Sequence, residues 1–284
     1  MTYKVSLRQM PQNFNITVVG CGGTGSFVAE GLCRLLIGSD IPILLIDHDR
    51  VEPHNLVRQN FYGSDLDKFK SQALAERLSQ QFHRRIAYSV YPFMPDLIGE
   101  SWGGGLRRPA IQGLIIGCVD NAAARQEIGQ SLRFGNWWLD AGNGFSSGQV
   151  LLGSARNLEL LGSPFIKESG EVEGLPMPSW QLPSLLAPPS VKDTEPRDCA
   201  EAVAADEQSP VINQAMATLV LEFIDRLLNK KLTWIGAYID LDAGTLQTVA
   251  AEPEVVARMC GVKVDTLFRN DCPTGNRYSL RRRR

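Results

Sequence analysis

No apolar run in this 284-residue chain approaches the ~20 residues needed to span a bilayer, so no membrane partner is expected. The first ten residues carry Lys4 and Arg8 with no apolar stretch behind them, and so give no secretory signal. The six cysteines, Cys21, Cys33, Cys118, Cys199, Cys260 and Cys272, form no C-x-x-C pair. That excludes a zinc ribbon and a dithiol redox motif, so no structural zinc is expected. Reduced thiols in a cytoplasmic protein are the economical reading. Charge of one sign is also missing. Lys and Arg total 29 against 31 Asp and Glu, a formal net charge of −2, with no overall pull toward nucleic acid. The basic run Arg281–Arg284 reads as a solvated terminus rather than a nucleic-acid patch.

What is present can build a full core, since 44% of the residues are hydrophobic. Ile16–Val19 is a short β-branched run that stops at glycines, as a buried parallel strand does. Apolar residues at near-helical spacing follow from Gly25 through Leu36. The pattern then predicts strands at Ile41–Ile46, Ile86–Tyr91, Leu114–Val119, Trp137–Leu139 and Gln149–Leu152, and helices at Ser71–Phe82 and Ala122–Leu132. This alternation predicts an α/β fold: a Rossmann-like, doubly wound, mostly parallel sheet with helices on both faces.

The second half changes character. Pro176, Pro178, Pro183, Pro188, Pro189 and Pro196 forbid regular helix or central strand, so a long loop is expected there. Val211–Leu228 reads as a long amphipathic helix, and Trp234–Asp242 with Thr245–Ala250 as an added antiparallel hairpin around Ala243-Gly244. The expected organisation is one domain over 1–284: a nucleotide-binding half (1–155), a crossover region (156–210), and a half made of the late helix and hairpin (211–284).

Chemistry concentrates at predicted strand ends. Gly20-Cys21-Gly22-Gly23-Thr24-Gly25 joins the first strand to a helix, where the backbone must turn tightly and approach a phosphate. The helix N-terminus adds unpaired N–H groups and the positive end of a dipole. Asp47 ends the second strand 22 residues after Gly25, where a carboxylate accepts from ribose hydroxyls. To this point a nicotinamide-dependent oxidoreductase fits equally well. The next residues separate the readings. Arg58 is a fork-shaped donor suited to phosphate oxygens and Lys70 a compact cation, and together they could neutralise a triphosphate. Either alone would be an ordinary surface charge. Asp120, after the strand ending in Gly117-Cys118-Val119, could hold Mg²⁺ between phosphates. It could equally cap the following helix, and Asp120 and Asn121 can divide those two tasks.

Five blocks occur in order: Gly20–Gly25, Ile46–Glu52, Asn55-Leu56-Val57-Arg58-Gln59, the Lys70 helix, and Cys118–Arg125. Together they resemble the ThiF/MoeB/HesA superfamily of ubiquitin-activating-type adenylyltransferases, closely over the first half and loosely beyond it. The resemblance implies an enzyme in which the terminal glycine carboxylate of a ubiquitin-like or sulfur-carrier protein attacks the α-phosphate of Mg·ATP. Carried onto this sequence, Gly22 and Gly23 line the nucleotide and Asp47 takes the ribose, with Gly20, Gly25, Asp49, Gln59 and Asn121 in the same binding set. Asn55, Arg58 and Lys70 face the phosphates and Asp120 takes magnesium. The resemblance also implies a homodimer in which an N-terminal arginine, here Arg8, reaches the partner's site. After a crossover loop such proteins carry an acyl-accepting cysteine. Cys199 stands at that place and is either a thioester- or persulfide-forming thiol or an inert one; Arg197 would lower its pKa and Asp198 oppose that.

Two features depart from the common pattern. The paired zinc cysteines of many members are missing. The segment Trp138–Gly144 with Ser147-Gly148-Gln149-Val150 resembles the ThiF-type protein of the bacterial PRTRC gene system. Besides the oxidoreductase, a non-catalytic scaffold subunit stays open as an alternative.

Overall fold

The computed structural model describes residues 2–7, 14–94, 113–132, 136–187 and 209–269. Arg8, the segment 188–208 with Cys199, and the C-terminal arginines lie outside these residues.

The strand at Asn15–Val19 (β2) is central, following a two-residue strand at Lys4–Val5 (β1). Helix α1 (Gly23–Leu35) leads to β3 (Ile43–Ile46), and α2 (Lys70–Phe82) to β4 (Ile86–Ser89). Then come β5 (Gly113–Gly117), α3 (Ala122–Ser131), β6 (Trp137–Asn143) and β7 (Ser147–Gly153). Beyond a single turn α4 (Leu158–Leu161) lie β8 (Phe165–Ile166), β9 (Glu171–Val172) and a second turn α5 (Pro178–Gln181). The long helix α6 (Pro210–Leu228), the hairpin β10 (Trp234–Asp240) and β11 (Thr245–Ala250), and α7 (Pro253–Cys260) complete the order.

The main sheet has eight strands in the order β11-β10-β7-β6-β5-β2-β3-β4. Strands β4, β3, β2, β5 and β6 run parallel, and β7, β10 and β11 are added antiparallel. The period-two alternation of β3, β2, β5 and β6 feeds two cores. Ile16, Val18, Leu45, Leu114 and Leu139 face one side with Leu32 of α1, Leu74 of α2 and Phe223 of α6. Val19, Ile46, Ile115 and Trp138 face the other with Ile128 of α3. Because both faces are covered, Trp137 and Trp138, on opposite sides of β6, are both buried. This is the doubly wound sheet that the sequence predicts.

Three details differ from the sequence reading. Strand β6 runs on to Asn143 and turns straight back into β7, so the antiparallel part begins before the late hairpin and is continuous with the main sheet. The proline-rich segment is not wholly irregular. Pro178 opens α5 and Pro183 opens a 3-10 turn, the position where a missing N–H costs nothing. A small second sheet, β1-β9-β8, was not read from the sequence; Tyr3 and Phe165 meet edge-on beside it, ring centroids 5.0 Å apart.

Candidate active site

Register sets the site. Val19 pairs with both Ile46 and Gly117, and Gly117 with Asp140. Gly20, Asp47 and Cys118 therefore leave the sheet side by side, where the chain sends α1 and α3 to opposite faces. Open α/β sheets bind ligands at such a switch point, and here a crevice of about 770 Å³ opens.

The glycine turn forms its near wall. Gly20 has φ +87°, and a Cβ on it would stand 2.5 Å from the Cys118 carbonyl oxygen, so only glycine fits. Gly22 precedes α1 without any side-chain cap, which leaves first-turn N–H groups for an anion. Gly25 does not line the crevice as expected. A Cβ there would collide with the Gly20 carbonyl, so its glycine serves the close packing of turn against helix. The remaining members of the expected set, Gly20, Gly22, Gly23, Asp47, Asp49, Asn55, Arg58, Gln59, Lys70, Asp120 and Asn121, all line the crevice.

Asp47 is buried, and burial pushes its carboxyl up; the N–H groups of Cys21 (2.6 Å) and Asp49 (2.8 Å) oppose that by donating to its two oxygens. Both oxygens keep a second lone pair for a hydroxyl donor. Lys70 begins α2 with its side chain 10% exposed, and its ammonium meets Asp49 at 3.0 Å. The Asp49 carboxylate is 57% exposed, so a phosphate can replace it at little cost. Asn55 is buried and accepts from the Glu52 N–H at 3.0 Å, which holds the 3-10 turn Pro53–Val57 that delivers Arg58 to the crevice. Gln59 Oε1 is buried with no partner among the described residues, an acceptor left at the crevice wall.

Asn121 caps α3 by accepting from the Ala124 N–H at 2.8 Å, while the neighbouring Asp120 stays exposed over the crevice. The two tasks are thus divided between adjacent residues. Among the described residues, one Asp120 oxygen meets only the Asn121 amide, at 3.4 Å. Such an open, hard carboxylate suits Mg²⁺, which keeps waters and phosphate oxygens as its other ligands. Burial pushes the thiols of Cys21 and Cys118 up, which makes both poor nucleophiles.

Several residues here were missed. Arg125 and Asp140 form a buried pair, Nε to Oδ1 3.2 Å, in which burial pushes Asp140 up to about 6 against the pull of Arg125. An aspartate inside the apolar run Trp137–Ala141 was the available signal. Asn213 of α6 is fully buried; its amide donates to the Arg58 carbonyl (3.3 Å) and accepts from Asn143 (3.3 Å), which in turn accepts from Thr24 (3.1 Å). This chain ties the late helix to the glycine turn. Phe93, after β4, adds an apolar wall beside Ile46 and Val119.

The sequence matches the ThiF family over residues 4–255. The chain belongs to the ThiF family. It is 34% identical over 139 residues to ubiquitin-like modifier-activating enzyme 5 of Dictyostelium discoideum, a match over 46% of this chain and 35% of the relative. The Xenopus laevis protein of the same name is 30% identical over 139 residues, 46% of this chain and 34% of that one. The chain thus spans about a third of the length of these relatives. Among solved structures, PaaA superposes with TM-score 0.53 at 16% identity, over 85% of this chain and 64% of PaaA. E. coli MccB with ATP gives 0.52 at 16% identity, over 84% and 64%. These structures share the ThiF fold, in agreement with the sheet described above. Among the described residues, no helix is long and apolar enough to cross a membrane.

Proposed function

We propose that this ThiF-family chain, working as one adenylation domain over 1–284, is an adenylyltransferase that activates the C-terminal carboxylate of a ubiquitin-like or sulfur-carrier protein ending in glycine. The observation that carries the reading is that Arg58, Lys70 and Asp120 line the same crevice as the Gly20–Gly25 turn and Asp47. A nicotinamide site needs the last two and has no use for the first three.

In this reading ATP lies with its base against Phe93 and its ribose hydroxyls on Asp47. The glycine-turn N–H groups, Arg58 and Lys70 take the phosphate oxygens, and Lys70 exchanges Asp49 for phosphate. Asp120 would hold Mg²⁺, which would supply charge neutralisation to the phosphates. The attacking carboxylate oxygen forms a bond to the α-phosphorus as the bond from that phosphorus to the bridging oxygen breaks, and pyrophosphate leaves. The chain contributes position and electrostatics, with no protein nucleophile in this step. A second step, attack of the Cys199 thiolate on the acyl carbon with cleavage of the acyl–phosphate bond and departure of AMP, and a homodimer completed by Arg8 belong to the same proposal.

The test is exchange of labelled pyrophosphate into ATP by the purified chain with its glycine-ended partner. Partner-dependent exchange is expected. Tight NAD(H) binding without exchange would replace the reading by an oxidoreductase, and absence of nucleotide binding by a scaffold. For Cys199 the expected result is a reducible adduct with the partner that Cys199→Ser abolishes; an adduct surviving in that variant removes the thiol role. Mass in solution decides the dimer.

A further inference from the structure

The crevice does not end at Asp120. It continues over the ends of β6 and β7, where Arg125, Gly142 and Gln149 line it. Arg125 is 8% exposed and spends its Nε on Asp140, which is 0% exposed. Neither Arg125 Nη2 nor Gln149 Nε2 meets a protein acceptor among the described residues. Both point at one place: a Cβ built on Gly142 would collide with Gln149 Nε2 and stand 3.0 Å from Arg125 Nη2. The missing side chain at residue 142 thus lets two donor groups come together there. An oxygen atom placed slightly outward would accept from both.

Sheet order decides which oxygen. Asp47 and Phe93 follow β3 and β4, on one side of the glycine turn that follows β2. Arg125, Gly142 and Gln149 belong to the β5–β6–β7 side. A nucleotide whose ribose lies on Asp47 and whose phosphates reach Arg58, Lys70 and Asp120 has used its length before β6. The group beyond the phosphates is the one that reacts with them. The charge balance agrees. Arg125 is already paired with Asp140, so the place offers directed donors without a net positive charge. That suits an oxygen that starts on a carboxylate and ends as the carbonyl of a mixed anhydride, since a bare cation would favour the starting charge.

We propose that Arg125 and Gln149, converging over Gly142, form the subsite that holds the non-attacking acyl oxygen of the substrate's terminal residue. The inference rests on the adenylation reading above. The probe is a glycylglycyl sulfamoyl-adenosine, a non-hydrolysable mimic of the acyl-adenylate, titrated against AMP by calorimetry. The wild type is expected to bind the mimic more tightly than AMP. In Gly142→Ala and in Gln149→Ala that preference falls about tenfold, the loss of a well-placed hydrogen bond, with AMP affinity retained. The methyl of Gly142→Ala meets the flexible end of Gln149 first and stands 3.0 Å from Arg125 Nη2; Gln149→Ala makes the same test without adding an atom and leaves Arg125 untouched. An unchanged preference in both variants, an equal loss for AMP and mimic, or a wild type that binds the mimic no better than AMP overturns the subsite while leaving the nucleotide reading intact. A wild type that binds neither AMP nor ATP overturns the adenylation reading itself.

Discussion

Among the described residues, Lys70 and Arg125 line this crevice, each paired with a carboxylate, and the two pairs are built in opposite ways. On the β3 side, Lys70 meets Asp49, whose carboxylate stands 57% exposed. On the β6 side, Arg125 meets Asp140, whose carboxylate is 0% exposed. Water already solvates Asp49, so Lys70 can exchange it for a ligand at little cost. Asp140 has no such alternative, and separating it from Arg125 would leave a buried charge alone. The first pair is therefore a holding contact for a cation meant for phosphate. The second is a fixed frame that orients the remaining guanidinium donors.

That contrast can be broken by experiment. The largest effect belongs to the fixed pair: Asp140→Ala is expected to cost about 3–5 kcal/mol of stability by denaturant unfolding, against about 0–1 kcal/mol for Asp49→Ala. Equal costs would end the distinction. Next, Lys70→Ala is expected to slow pyrophosphate exchange about 10²–10³-fold with stability nearly kept. A matching loss in Asp49→Ala would make the carboxylate itself part of the chemistry.

The third effect is a pH slope. Asp140 has a native value of about 6 against 3.8 as its ordinary one, so between these the native state holds a proton that the unfolded state has released. Its contribution to stability is present below about 4 and is lost as pH rises to about 6. Each unit of separation carries about 1.4 kcal/mol. Subtracting an Asp140→Asn curve from the wild type should show a falling difference across that window, and a flat difference would refute the assignment. The smallest effect is at the α3 cap, where Asn121→Ala should cost about 1 kcal/mol by denaturant unfolding.

The same contrast explains what the sequence disclosed. The turn from β2, Asp47 and the Lys70 helix follow one another along the alternating β2-α1-β3-α2 run, so local pattern and strand order suffice to bring them together. Arg125 was visible as part of a motif, but its partner Asp140 arrives through pairing of β6 with β5, and Gln149 through the antiparallel return of β7. No periodicity announces such contacts. Asn213 is further still, reaching Arg58 from a helix that begins more than a hundred residues later. Gly25 shows the converse error: the motif includes it, yet the ligand space does not. Prolines that argued for an irregular loop instead start two single turns, because the first helical position needs no N–H.

The most direct measurement is a structure of the chain with a non-hydrolysable ATP analogue. The triphosphate oxygens are expected within hydrogen-bonding distance of Arg58 and Lys70, with Asp120 facing the phosphates and the Lys70–Asp49 contact parted while Arg125–Asp140 stays closed. A triphosphate lying away from these three side chains, or an analogue that never enters beside Gly22 and Gly23, would contradict that expectation.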